Sequence, residues 1–255
     1  MTLDLNLVAS KLVGTSIPKP KSGTLSGHAA GEPFDKHAYS LIKSKFPRNT
    51  YRQYEYLNEL YLKNPSALSV EQRQKLVRPD FLAMMINRGA DVTLKWNPNN
   101  QFLEKQNDTA DIIINNGGVF RIVDVKTRNK SKKAQQPNII SAVKIAKMCA
   151  LMLDEGKFEN FEIIYLGITW VEKKDQLICT ESMTKKLFKT NPSELYINWA
   201  AAMQIQFHVE ELSQDYRGSL KDWAKGYLSM FIEDAQRRSE KMLVEYVKPY
   251  LRFTK

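Results

Sequence analysis

Two isoleucine- and valine-rich runs, Ala110–Ile114 and Val119–Thr127, flank Asn115-Asn116-Gly117-Gly118. Branched residues suit an extended backbone, and Asn and Gly tolerate the positive φ that tight turns demand. The stretch therefore reads as a β-hairpin. Its second run carries two charged residues, Asp124 and Lys126, among apolar neighbours. Residues two apart on a strand share a face, so these two project together while Val123 and Val125 point to the other side.

The turn decides where Asp111 goes. A two-residue turn at Asn116-Gly117 sets Asp111 opposite Ile122 and diagonal to Asp124, whereas one at Gly117-Gly118 sets it directly opposite Asp124. Both place the carboxylates on one face, about 5–8 Å apart at most. A three-residue loop with a bulge instead sends Asp111 to the wrong face.

Two carboxylates that hold a hard divalent cation beside a lysine meet the needs of phosphodiester hydrolysis. The text of the motif is common, because Glu155-Gly156-Lys157 and Glu172-Lys173-Lys174 repeat its acid–x–lysine form. Context separates them: the first follows a helix at a glycine, and the second lies in a polar turn. A surface hairpin with an ordinary Asp–Lys ion pair fits these residues equally well. Burial of charge inside an apolar strand is costly, which favours a functional role.

Around the hairpin the pattern suggests a sheet flanked by helices, an α/β chain, in one domain spanning 1–255. Helices are expected from Pro33, over Tyr51–Lys63, Val70–Leu76, Pro79–Arg88 and Ile139–Leu153, and from Leu220 to about Tyr246. Further strands are expected at Phe161–Val171, Gln176–Thr180 and Met203–Val209. Residues 19–31 form a glycine-rich loop that lacks the Gly-Lys-Ser/Thr of a nucleotide-binding P-loop. The apolar stripe Trp223, Tyr227, Phe231, Met242 and Tyr246 reads as core packing, and Tyr51, Tyr54, Tyr56 and Tyr61 read as core or dimer contacts rather than base-stacking platforms.

The formal net charge is +10, and its distribution matters more. No acid occurs between Asp124 and Asp154, an interval holding Lys126, Arg128, Lys130, Lys132, Lys133, Lys144 and Lys147. A one-sided basic stretch suits a polyphosphate partner, although a solvated lysine-rich surface has the same composition. Cys149 and Cys179 are the two cysteines and read as buried, reduced thiols; His28, His37 and His208 lack zinc-ligand spacing. No run is apolar enough to span a bilayer, and the first sixteen residues do not resemble a signal peptide, so a cytoplasmic protein without membrane attachment is expected.

At Asp111 and Asp124-Val125-Lys126 the chain resembles the PD-(D/E)xK nuclease superfamily. More closely it resembles the HincII/HindII type II restriction endonucleases, through PKSGTLSGHAAGEPF (Pro20 to Phe34), QYEYLNEL (Gln53 to Leu60), EKQNDTADI (Glu104 to Ile112), DVKTRN (Asp124 to Asn129), PNIISA (Pro137 to Ala142) and PSELYINWAAAMQIQFHV (Pro192 to Val209). The last block is far more specific than the catalytic triplet, and together the segments span most of the chain. The resemblance implies a restriction-endonuclease-like fold with a central mixed sheet, a homodimer around duplex DNA, and a cognate DNA methyltransferase in the same restriction-modification system. It implies Mg²⁺-dependent blunt cleavage at the central pyrimidine–purine step of a GTYRAC-like palindrome.

By matching motifs, Asp111 and Asp124 become metal-binding carboxylates, the Val125 carbonyl a further ligand, and Lys126 the residue that orients or helps deprotonate the attacking water. The segment 127–138 becomes a DNA-contacting loop. In it Gln135 wedges into the site centre, while Arg128, Lys130, Lys132 and Lys133 hold phosphates. Asn138 and Asn198 approach base edges, although as loop residues beside Pro or Tyr they also suit turns. The family has a small residue after the wedging glutamine where this chain has Gln136, which bears on tolerance at the central step. Glu32, on the first helix, suits either an approach to the metal site or a helix-dipole interaction. The alternative reading is a non-cleaving DNA-binding protein on a nuclease-like fold, or else a phosphoesterase of small or RNA substrates.

Overall fold

Gly117 and Gly118 adopt φ of 64° and 81°, and the hairpin they close has Asn116 paired with Val119 and Ile112 with Val123. The two-residue turn lies at the double glycine, the second of the alternatives that keep Asp111 and Asp124 on one face. Positive φ at both central positions matches the right-handed twist of the flanking strands.

The computed structural model describes residues 4–19, 28–105, 108–131, 138–158, 160–199, 203–206 and 211–254. Its helices are α1 (Asn6–Leu12), α2 (His28–Lys45), α3 (Gln53–Leu62), α4 (Val70–Leu76), α5 (Asp80–Ile86), α6 (Ala90–Leu94), α7 (Ala142–Glu155) and α8 (Leu220–Met242). The strands are β1 (Ser16–Pro18), β2 (Thr50–Tyr51), β3 (Ile112–Asn116), β4 (Val119–Asn129), β5 (Asn138–Ser141), β6 (Phe161–Lys173), β7 (Gln176–Lys186), β8 (Tyr196–Asn198) and β9 (Gln204–Gln206).

Six strands form a sheet in the order β1-β7-β6-β4-β3-β2. It is mixed, as the resemblance implies: β4 runs parallel to β6, while β3 and β7 run antiparallel to their neighbours. Apolar residues cover both faces. On one side Ile122, Ile163 and Tyr165 join a core with residues of α3, α5, α7 and α8; on the other, Val123, Val125 and Leu166 pack with α1 and α2. The alternation of β4 sends Asp124 toward the first of these sides. A second sheet, β5-β9-β8, is antiparallel throughout.

Several boundaries differ from expectation for identifiable reasons. The helix expected from Pro33 begins at His28, so residues 28–31 leave the expected loop and Pro33 lies within the helix. Tyr51 is drawn into β2 by pairing with Ile113, and α3 starts two residues later. Asn138–Ser141 pairs with β9 instead of opening a helix, and the Ser141 side chain accepts a hydrogen bond from Lys144 N to cap α7. The α8 stripe is core only at its start. Trp223 and Tyr227 are buried, with rings stacked 5.3 Å apart, but Met242 is 45 % and Tyr246 58 % exposed. A helix of 23 residues is about 34 Å long, and its end runs past the packed body. No described helix is long and apolar enough to cross a membrane.

Candidate active site

The ladder between β3 and β4 ends at Ile112 and Val123. One step further, the register carries Asp111 to the level of Asp124, on the same face. Beyond that point β4 continues to Asn129 beside β6, while its other edge has no strand partner among the described residues. Asp111 occupies the start of this vacated edge: its Oδ2 accepts the Val125 N–H at 2.7 Å. The N–H and C=O of one strand residue leave by the same edge, so the Val125 carbonyl also faces the side that β3 has left.

Asp124 is 5 % exposed, and its Oδ1 lies 2.7 Å from Lys126 Nζ. Its Oδ2 is buried and takes no hydrogen bond. Burial drives the Asp124 pKa well above the usual carboxylate range, against the pull of Lys126, and the Asp111 charge adds to the rise. Burial by itself would lower Lys126; the charges of Asp124 and Asp111 outweigh it and hold the amine firmly protonated. A buried carboxylate with an unsatisfied oxygen and a second carboxylate beside it costs free energy unless a cation shares the charge. The donor set is all oxygen: two carboxylates and an outward carbonyl. That is the chemistry of a hard divalent ion, and these residues fit one.

Two neighbours have no signature in the local sequence. Asp35, on α2, forms a two-pronged ion pair with Arg52, Nη2 to Oδ2 at 2.8 Å and Nη1 to Oδ1 at 3.0 Å. Arg52 Nη1 also donates to the Asp111 carbonyl at 3.0 Å. Burial raises the Asp35 pKa and Asp111 adds to it, while Arg52 opposes both. Only the fold joins these residues, because 17 and 59 positions separate Arg52 from Asp35 and Asp111. Glu32, the acid considered on this helix, is exposed and pairs with Lys36 at 2.5 Å. Asp35, one turn further on, is the α2 acid whose charge reaches Asp111 and Lys126.

Of the two competing acid–x–lysine triplets, Glu155 and Lys157 form a surface pair at 3.2 Å around Gly156, which takes a left-handed φ of 65°. Glu172 pairs with Lys19 at the far end of β6.

The family model described as restriction endonuclease HincII matches residues 8–254. The chain belongs to the HincII restriction endonuclease family. The type II restriction enzyme HindII of Haemophilus influenzae is 48 % identical to it over 246 residues, covering 96 % of this chain and 95 % of that protein. The type II restriction enzyme HincII of the same species is 47 % identical over 246 residues with the same coverage.

In this HincII-family chain the other expected contact residues are spread along the route from β4 into the second sheet. Arg128 lies in β4, and Lys130, just beyond it, pairs with Glu181 at 2.5 Å. Lys132, Lys133, Gln135 and Gln136 lie outside the described residues. Asn138 and Asn198 are strand residues rather than turn formers: Asn138 pairs with Gln206 and Asn198 with Gln204, both on the central strand β9. Strands of four and three residues are too short to show a period of two, which is why β5 and β8 escaped the pattern. Ile140, Ile197 and Ile205 of this sheet are buried and anchor it to the body.

Proposed function

We infer that the chain is a type II restriction endonuclease, cutting duplex DNA at a specific site as part of a restriction system. The observation that carries the catalytic assignment is the meeting of Asp111, Asp124 and Lys126 around a buried carboxylate oxygen that takes no hydrogen bond. Asp111 and Asp124 would hold Mg²⁺, with the Val125 carbonyl as a third oxygen ligand. When bound, the ion polarises the scissile phosphate and lowers the pKa of a coordinated water. Lys126 keeps its proton, orients the attacking water and adds positive potential where charge develops on phosphorus.

The protein acts as a homodimer on a GTYRAC-like palindrome, cutting bluntly at the central pyrimidine–purine step, in a system completed by a DNA methyltransferase. Asn138 and Asn198 read base edges through carboxamides that both donate and accept. Arg128, Lys130, Lys132 and Lys133 hold phosphates, and Gln135 with Gln136 meets the central step, where pyrimidine–purine stacking yields most cheaply.

The test is digestion of a mixed-sequence plasmid with Mg²⁺, followed by sequencing of fragment ends. Blunt ends at one palindrome are expected from the parental protein, with no Mg²⁺-dependent nicking by Asp124→Asn or Lys126→Met under conditions where both still bind the DNA. Parental cutting rates in either variant would overturn the site.

A further inference from the structure

Asp111 stands one residue outside the ladder that holds β3 to β4. Sheet pairing therefore does not fix its backbone, yet its carboxylate must arrive level with Asp124. Two contacts restrain it. One is its own carboxylate on Val125 N, and the other is the Arg52 guanidinium on its carbonyl at 3.0 Å. The first is made by the carboxylate that would bind the ion; the second is independent of it.

Arg52 is itself held on several sides. Its fork is gripped by both oxygens of Asp35, its plane lies over the Tyr39 ring at 4.4 Å, and its side chain is 8 % exposed. Its backbone N–H donates to Glu55 at 2.9 Å at the start of α3, and the Tyr39 hydroxyl donates to the same Glu55 oxygen. A side chain fixed this way before any substrate arrives lends its rigidity to whatever it touches. A planar fork is needed, since one point charge cannot grip two carboxylate oxygens and a carbonyl in fixed directions.

We propose that Arg52 is a positioning residue for the cation site, presenting Asp111 to Asp124, with Asp35 as the anchor that fixes its fork. This rests on the reading of Asp111 and Asp124 as cation ligands. The contact runs from the guanidinium to the backbone of a ligand residue, so its loss loosens the ligand while leaving the ligand set complete.

The decisive variant is Arg52→Lys, which retains the charge and loses the fork. Mn²⁺ binding is measured by the electron paramagnetic resonance signal of the free ion, with DNA affinity in EDTA and Mg²⁺-dependent cleavage followed alongside. Partners one step removed from a metal typically matter 10–100-fold. Arg52→Lys is therefore expected to weaken Mn²⁺ binding by about 10–100-fold and to raise the Mg²⁺ needed for half-maximal cleavage in parallel. DNA affinity in EDTA should stay at the parental level, which a general folding defect would lower.

Asp124→Asn separates the two claims. If it abolishes Mn²⁺ binding while Arg52→Lys binds Mn²⁺ like the parent, the role of Arg52 is refuted and the cation site stands. If Asp124→Asn binds Mn²⁺ as tightly as the parent, the cation site falls and the role of Arg52 with it. Should Arg52→Lys lack a cooperative urea transition, Asp35→Asn takes its place: weakened Mn²⁺ binding supports the proposal, and parental affinity refutes it.

Discussion

Asp111 does two jobs with one carboxylate, and a pair of substitutions separates them. Its Oδ2 accepts the Val125 N–H at 2.7 Å, and in the function proposed above its charge would complete the cation site. Asp111→Asn keeps an oxygen of nearly the same shape but no charge; Asp111→Ala keeps neither. A hydrogen bond to a charged group contributes about 1.5–3 kcal/mol and a neutral one about 0.5–1.5 kcal/mol. Val125 is 8 % exposed, so water compensates poorly for a lost partner. In EDTA the Asn variant should therefore be more stable than the Ala variant by about 0.5–1.5 kcal/mol. It should also fall close to the parent, because loss of the Asp111 charge relieves the pressure on Asp124.

With Mg²⁺ the order changes. A ligand at tenfold its Kd stabilises the folded protein by about 1.4 kcal/mol, a gain reserved for the parent. Both variants should lose cleavage. Urea unfolding followed by tryptophan fluorescence, in EDTA and in MgCl₂, reads both effects beside a plasmid-nicking assay. Equal stability of the Asn and Ala variants in EDTA would refute the shared-carboxylate argument, and so would Mg²⁺-dependent stabilisation of the Asn variant.

Three further outcomes follow from packing and titration. A Cβ on Gly31 would lie 2.5 Å from Thr127 Oγ1, and Thr127 is a stiff β-branched neighbour of Lys126; Gly31→Ala should cost about 1–3 kcal/mol by overpacking and lower the cleavage rate, with an unchanged urea midpoint counting against the close approach of α2 to β4. Cys149 and Cys179 are buried and free, with burial pushing their thiols up to about 12 and about 11. The folded protein thus keeps protons that the unfolded chain releases above pH ~8.5, so stability should fall as pH rises from there toward the folded values. Thiol reagents at pH 8 should modify both cysteines only after urea is added, and rapid labelling of the native protein would contradict their burial.

The parts of the fold that a local pattern can encode were legible. The hairpin, its turn chemistry and the parity of Asp124 and Lys126 depend on near neighbours, and α4 spans Val70–Leu76 as the periodicity indicates. The register needed the structure, since Asn116-Gly117 and Gly117-Gly118 are chemically equivalent turns. Asp35 and Arg52 were invisible for a different reason: one sits on a helix and the other at the start of α3, and nothing in either neighbourhood names its partner. Glu32 attracted attention through its place beside the glycine-rich segment, yet it pairs with Lys36 along the helix, and the acid whose charge reaches Asp111 is Asp35, one turn further on. Met242 and Tyr246 show the limit of periodicity, which reports a face of a helix without reporting where the body beneath it ends.

The early end of β3 has a consequence for how the sheet meets its surroundings. Unpaired strand edges invite other chains to add on, and proteins ordinarily blunt them with charge, bulges or cover. Here the length of β4 that β3 leaves unpaired, from Asp124 to Asn129, lies inside the sheet order, between β6 and the place where β3 would continue. Asp111 stands where an added strand would have to begin pairing, and its carboxylate already takes the Val125 N–H. The main-chain donor that would recruit a strand thus holds a carboxylate instead, and the edge is blunted by charge from within the same hairpin.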